Sequence, residues 1–184
     1  METPERDAAA ALDILRAGGS RADGVRDMLS KTSDLPASRL RSEMATILAA
    51  SIHPEDHAIA RWLLERETEA LRVAGSGCTE TLLTLVAVVA RFADPHDALL
   101  IWRAREATAQ TRENVDVEQM ARAGVERVRR VLGDLARGDG SAAREAADAL
   151  AWLDAGIAEG ITSDLAGYFL WSDERFGLSV SGPT

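Results

Sequence analysis

Pro54-Glu55-Asp56-His57-Ala58 runs on through Trp62 to Thr68, and Pro95-His96-Asp97-Ala98 runs on through Trp102 to Thr108. With one residue of gap, the two stretches align at proline, aspartate, alanine, tryptophan and threonine, and the tryptophans stand 40 residues apart. A period of about 40 is what stacked helix pairs produce, because each pair buries its apolar face only against the next. Proline suits a first helical turn, where its missing N–H would have no partner. Pro4, Pro36, Pro54 and Pro95 each open a helical stretch.

The remainder of the chain agrees with an all-α reading. Alanine, leucine and arginine, all strong helix formers, dominate. Nowhere do β-branched and aromatic residues alternate as a half-buried strand requires. Periodicity and stop signals predict helices from Pro4 to Ala17 (capped by Thr3), from Ser20 to Leu29, from Pro36, from Pro54 to Gly75 and from Thr79 to Phe92. The stretch from Thr79 to Phe92 is apolar nearly all round, which places it at the centre of the stack. A sixth helix opens at Asp94-Pro95, with Leu99, Leu100, Ile101 and Trp102 inward.

Asp116-Val117-Glu118-Gln119 reads as a capping box. The helix after it carries Glu118, Arg122, Glu126, Arg130 and Asp134 as a solvated ladder of alternating charge, with Gly124 a point of kinking or close approach. Ser141 caps a further helix, which Gly156 and Gly160 end, and a last one from Ser163 holds Tyr168, Phe169, Leu170 and Trp171. Eight or nine helices joined by short loops result. Residues 1–176 form one α-helical repeat domain and residues 177–184 a flexible tail.

The two tryptophan-bearing stretches and their partner helices, residues 36 to 137, resemble HEAT-like helical repeats. That resemblance implies antiparallel helix pairs stacked into a curved solenoid, a scaffold that presents a surface. It does not specify a chemistry.

The formal charge of −9 repels phosphate backbones, so nucleic acid is excluded as a general partner. A single cysteine, Cys78, permits no intrachain disulfide and fits a reducing cytoplasm. The acidic start, Met1 to Asp7, has no apolar core, so no signal peptide is expected. The longest uncharged apolar run, Thr81 to Ala90, is far short of the roughly 20 residues that span a bilayer.

Several constellations invite chemistry, and each has a plainer reading. His53 and His57 are four apart, but Pro54 holds His53 extended before the helix begins, so the two rings diverge and no metal site is expected there. Pro-x-Asp places an acidic residue in a first helical turn twice, which complements the helix dipole without further function. If the two helix starts sit side by side, Asp56, His57, His96 and Asp97 line one edge that would suit a small ligand or a metal. Cys78 precedes a helix, where a thiolate is favoured, although a packed thiol without a role is the simpler reading. Arg122, Arg127, Arg129, Arg130 and Arg137 form the one locally basic stretch.

Of the eight aromatic residues, Tyr168, Phe169, Trp171 and Phe176 fall within nine positions. They either cap the open end of the stack or form a protein interface. No phosphate loop, dinucleotide fingerprint or nucleophile elbow is present. The expectation is a non-enzymatic interaction or scaffold module, with a protein partner or a second copy and no cofactor. The alternative is an enzyme or small-ligand sensor with a pocket near His57 and His96.

Overall fold

The computed structural model of the 184-residue chain describes residues 4–31 and 35–178. All regular structure among them is helical. The elements are α1 (Pro4–Ala17), α2 (Ser20–Leu29), α3 (Leu35–Ala50), α4 (His57–Ala74), α5 (Glu80–Arg91), α6 (Ala98–Arg105), α7 (Ala109–Asn114), α8 (Val117–Ala121), α9 (Val125–Ala136), α10 (Ser141–Ala158) and α11 (Leu165–Arg175). Short 3₁₀ turns precede α4 (Pro54–Asp56), α6 (Pro95–Asp97) and α11 (Ile161–Asp164).

Local chemistry sets most of the early boundaries. Gly75 closes α4 at φ 72°, a left-handed conformation that costs glycine nothing. The Thr79 hydroxyl accepts the Leu82 N–H and starts α5. The expected Thr3 cap and the segment 179–184 lie outside the described residues.

α5 is the centre. Leu82, Leu85, Val86, Ala87, Val88, Val89 and Ala90 are all buried, because α3, α4, α6 and α8 pack around it. α3 also packs on α1, α4 on α6, and α6 on α10, which lies along α9. One hydrophobic core joins these elements from Ala8 to Leu178.

The helix count is eleven among the described residues rather than eight or nine, and the excess arises between Arg105 and Val125. α6 stops after eight residues where α4 runs for eighteen. Thr108 and Thr111 form a reciprocal capping box, each hydroxyl accepting the other's backbone N–H at 3.1 and 2.9 Å, and this starts α7. The repeated threonine therefore ends in two settings: Thr68 is buried inside α4, while Thr108 caps a new helix. The tryptophans diverge as well. Trp62 lines an open groove, whereas the Trp102 ring lies 5.5 Å from that of Trp152, with the Arg105 guanidinium over both. The likeness of the two stretches holds at the turn that opens each helix and does not extend to the surroundings of the tryptophans.

Further expectations are corrected downstream. Gly124, at φ 96°, divides the stretch after Asp116 into α8 and α9, so no continuous ladder runs from Glu118 to Asp134. Gly140, not Ser141, holds the N-cap position of α10. Gly156 does not end α10 but lies within it, where a Cβ would stand 2.9 Å from Val117 Cγ1; the glycine lets α8 approach. At the other end, Gly177 turns the chain at φ 65° and Leu178 is buried, its N–H donating to the Asp173 carbonyl at 2.8 Å. Gly177 and Leu178, the first two residues of the expected flexible tail, are therefore packed onto the fold.

Candidate functional site

The two Pro-x-Asp turns bury their aspartates, and each carboxylate meets a nitrogen-bearing side chain supplied from 40 residues earlier. At the first turn, Asp56 N donates to the His53 carbonyl at 2.9 Å, which brings the side chain back over the helix start. Its carboxylate, excluded from water, accepts Arg16 Nε at 2.7 Å and Nη2 at 2.8 Å, and the His53 N–H at 3.2 Å. Bidentate pairing of this kind is the strong form of an ion pair. It raises the Arg16 pKa, chiefly through the hydrogen bond to Asp56.

At the second turn Asp94 holds the place of His53, its Oδ1 accepting the His96 N–H at 2.9 Å. Asp97 is only 1% exposed. Its Oδ2 lies 2.6 Å from His57 Nε2 and its Oδ1 lies 3.1 Å from Arg61 Nη1. The Arg61 contact is ionic only, since no hydrogen bond reaches that buried oxygen. The His57 ring stacks on Phe92, centroids 4.5 Å apart and planes 22° from parallel, which fixes the imidazole edge-on to the carboxylate. Burial pushes the Asp97 carboxyl above the ordinary carboxylate range, while His57 and Arg61 pull it back down and Asp94 adds to the rise. Donor atoms of His57, Asp94 and Asp97 lie within 4.8 Å of one another. His57 and Asp94 line a shallow groove of about 400 Å³ with Ala58, Arg61, Trp62 and Glu65, and Asp97 lies buried behind them.

Of the four residues expected along one edge, the fold brings His57 and Asp97 together. Asp56 is taken by Arg16, and His96 is exposed, outside the cluster. Asp94 was missed as a site residue. Its signal was an aspartate immediately before Pro95, which reads as ordinary capping. His53 turns away from His57, its Nε2 lying 3.1 Å from Ser51 Oγ.

The aromatic C-terminus forms a helix with an inverted face. α11 buries Ser172 and Asp173 and leaves Leu170 69% and Trp171 48% exposed. Its inner side is held by polar contacts. The Tyr168 hydroxyl donates to Asp116 Oδ2 at 2.9 Å, and Gln119 Nε2 donates to Tyr168 Oη at 3.1 Å and Ser172 Oγ at 2.8 Å. Arg122 grips Asp173 with both Nη atoms at 2.6 and 2.7 Å, and Arg91 pairs with the same carboxylate. Burial, followed by the Asp116 charge and hydrogen bond, drives the Tyr168 pKa far above its ordinary value.

These contacts overturn the capping-box reading of Asp116 and Gln119, whose side chains serve α11 instead of their own helix. Arg122 likewise leaves the expected solvated ladder to pair with Asp173, its guanidinium 4.8 Å from the Phe169 ring. Phe176 is half-buried, with the Arg175 guanidinium over it. The basic stretch is largely neutralised by its own neighbours: Arg129 pairs with Asp154 at 2.9 Å and Arg137 with Asp134.

Cys78 is half-buried, and burial together with Glu80 raises its pKa, so the thiolate is disfavoured despite the adjacent helix start. Among the described residues, no helix is long and apolar enough to cross a membrane. Comparison of the chain with protein-family models, curated proteins and solved structures finds no match.

Proposed function

We propose that this chain is a non-enzymatic protein-interaction module, a HEAT-like stack of helix pairs whose docking surface is the outward face of α11. The observation that carries the reading is the inverted burial of that helix, with Ser172 and Asp173 inside and Leu170 and Trp171 outside. An isolated surface helix turns its apolar stripe inward. Here Ser172 and Asp173 face inward through hydrogen bonds and ion pairs, with Leu165 and Phe176 against the core at the helix ends, so the exposed parts of Leu170 and Trp171 remain for something else. Tryptophan anchors are enriched at the energetic centres of interfaces. The 40-residue relation between Arg16 and Asp56, repeated by His57 and Asp97, supports the stacked layout.

The occupant is a separate protein offering an apolar pocket rimmed by basic residues. The chain's charge of −9 opposes a second copy and favours a cationic rim. The test compares wild type with Leu170→Glu/Trp171→Glu, whose exposed positions leave the helical circular dichroism unchanged. A photo-crosslinker at position 170 is expected to trap a discrete basic protein. That protein, purified, binds wild type in calorimetry and binds the double variant at least about tenfold more weakly, the loss of one hot-spot residue. Equal binding by the double variant overturns the reading. A wild-type dimer in light scattering that the double variant abolishes would replace the foreign partner with a second copy.

A further inference from the structure

The two seams built on Pro-x-Asp turns solve the same problem differently. Each buries a carboxylate that requires a positive partner. In the first, the bidentate Arg16 guanidinium satisfies both Asp56 oxygens. In the second, the residue 40 positions before Asp97 is an imidazole, His57, and the residue before the proline is a second carboxylate, Asp94, in place of His53. The bidentate arginine has been exchanged for an imidazole on one oxygen and a looser guanidinium, Arg61, 3.1 Å from the other, with a second carboxylate alongside.

We propose that His57, Asp94 and Asp97 form a binding site for a first-row divalent cation, zinc foremost. Two independent observations support it. Donor atoms of the three side chains come from two elements and lie within 4.8 Å of one another. Separately, Asp97 Oδ1 is buried without a hydrogen bond in a residue that is 1% exposed. Its one positive neighbour is the partly exposed Arg61 guanidinium, 3.1 Å away and not hydrogen-bonded to it, and a metal ion compensates such a buried oxygen more directly.

The geometry needs small adjustments. Zinc–nitrogen and zinc–oxygen bonds of about 2.0–2.2 Å place neighbouring donors of a tetrahedral site about 3.4 Å apart. The His57 ring, 2.6 Å from Asp97 Oδ2, therefore withdraws by slightly under about 1 Å along the Phe92 face. Asp94 keeps Oδ1 on the His96 N–H and offers Oδ2. Arg61, partly exposed, swings out of the groove as the ion replaces its charge. Glu65 on the groove wall adds to the negative field. Three protein ligands and an open side toward the groove leave a position for water. Imidazole among the donors favours zinc over magnesium, which prefers all-oxygen sites. The ion would bridge α4 to the turn that opens α6, so binding would also stabilise the fold.

The test titrates chelator-stripped full-length protein with zinc chloride in a calorimeter, with magnesium chloride as a parallel arm. One zinc per chain, a raised thermal midpoint and no magnesium response are expected. Asp94→Asn retains the capping oxygen and removes the charge. It and His57→Gln are each expected to weaken zinc binding by at least about tenfold, the scale of losing an interaction that supports a metal. If His57→Gln fails to fold, Asp94→Asn alone decides. No zinc binding by wild type overturns the site. So does binding that both variants leave unchanged and Cys78→Ser or His96→Gln abolishes. Cobalt substitution gives a second readout: oxygen and nitrogen ligation produces ligand-field bands without a thiolate charge-transfer band, and that band's presence would move the metal to Cys78.

Discussion

Arg41 Nε lies 3.0 Å from Glu67 Oε2, and their side chains are 1% and 4% exposed. The pair ties α3 to α4 and reaches further. Arg41 Nη1 donates to the Leu29 carbonyl at 2.9 Å, and the Thr79 hydroxyl donates to Glu67 Oε1 at 2.8 Å. Four consecutive helical segments thus meet at one buried charge pair. A pair of this kind contributes little relative to an apolar replacement, but half of it is costly to leave behind.

Arg41→Ala and Glu67→Ala are therefore each expected to lower stability by about 3–5 kcal/mol, because each strands a buried charge. The double substitution Arg41→Met/Glu67→Leu is expected to cost less than either single change. Urea denaturation of the three variants checks this, and additive losses would contradict it.

Tyr168 is the only tyrosine in the chain, so its titration can be read directly from phenolate absorbance. Its folded pKa is raised above the ordinary 10.0 by burial and by Asp116. A group with a raised folded pKa contributes stability that is complete below the unfolded pKa and is lost as pH climbs. Stability is therefore expected to fall above about pH 10, where only the unfolded chain ionises freely. Tyr168→Phe lacks that fall. It is expected to be about 1 kcal/mol less stable near neutrality, from the lost hydrogen bond, and the two pH profiles should converge in alkali. A phenolate signal near pH 10 in the folded protein would count against the buried hydroxyl.

Asp173 holds α11 through Arg122 and Arg91. Asp173→Ala strands two arginines and is expected to weaken docking of α11 by about 3–5 kcal/mol. Hydrogen exchange should show faster amide exchange across 165–175 with α5 still protected, as local opening requires. Uniform acceleration through the core would show that α11 is not a separable unit.

Gly156→Ala sets helix propensity against packing. Alanine favours an isolated helix by about 1 kcal/mol over glycine, but its Cβ would meet Val117 Cγ1 at 2.9 Å. Overpacking costs about 1–3 kcal/mol, so a net loss is expected. Val117→Ala removes the obstructing methyls and should recover part of it. A double-mutant cycle in thermal denaturation measures the coupling.

Much of the fold was legible in the residues. The bounds of α1, α2, α4 and α5 follow from Gly18-Gly19, Ser20, Pro54, Gly75 and Thr79, since turns and caps act within a few residues. The candidate site was half legible. Spacing brought His57 and Asp97 into one expectation, but His96, on the same turn, faces solvent. Asp94 was hidden because a capping aspartate and a ligand aspartate look alike in a sequence. The region from Arg105 to Val125 misled for a related reason: Asp116 and Gln119 satisfy a local capping pattern, yet their side chains find Tyr168 and Ser172.

The sequence alone determined that the chain is helical, where most helices in its first half begin and end, and that α5 is enclosed, because propensity, capping and apolar periodicity are short-range. Only the tertiary structure decided that His57 meets Asp97 and that α11 turns its polar side inward. Those outcomes depend on hydrogen bonds and ion pairs between residues 40 or more apart. Their energies match those of the local alternatives, so the approach of whole helices makes the choice.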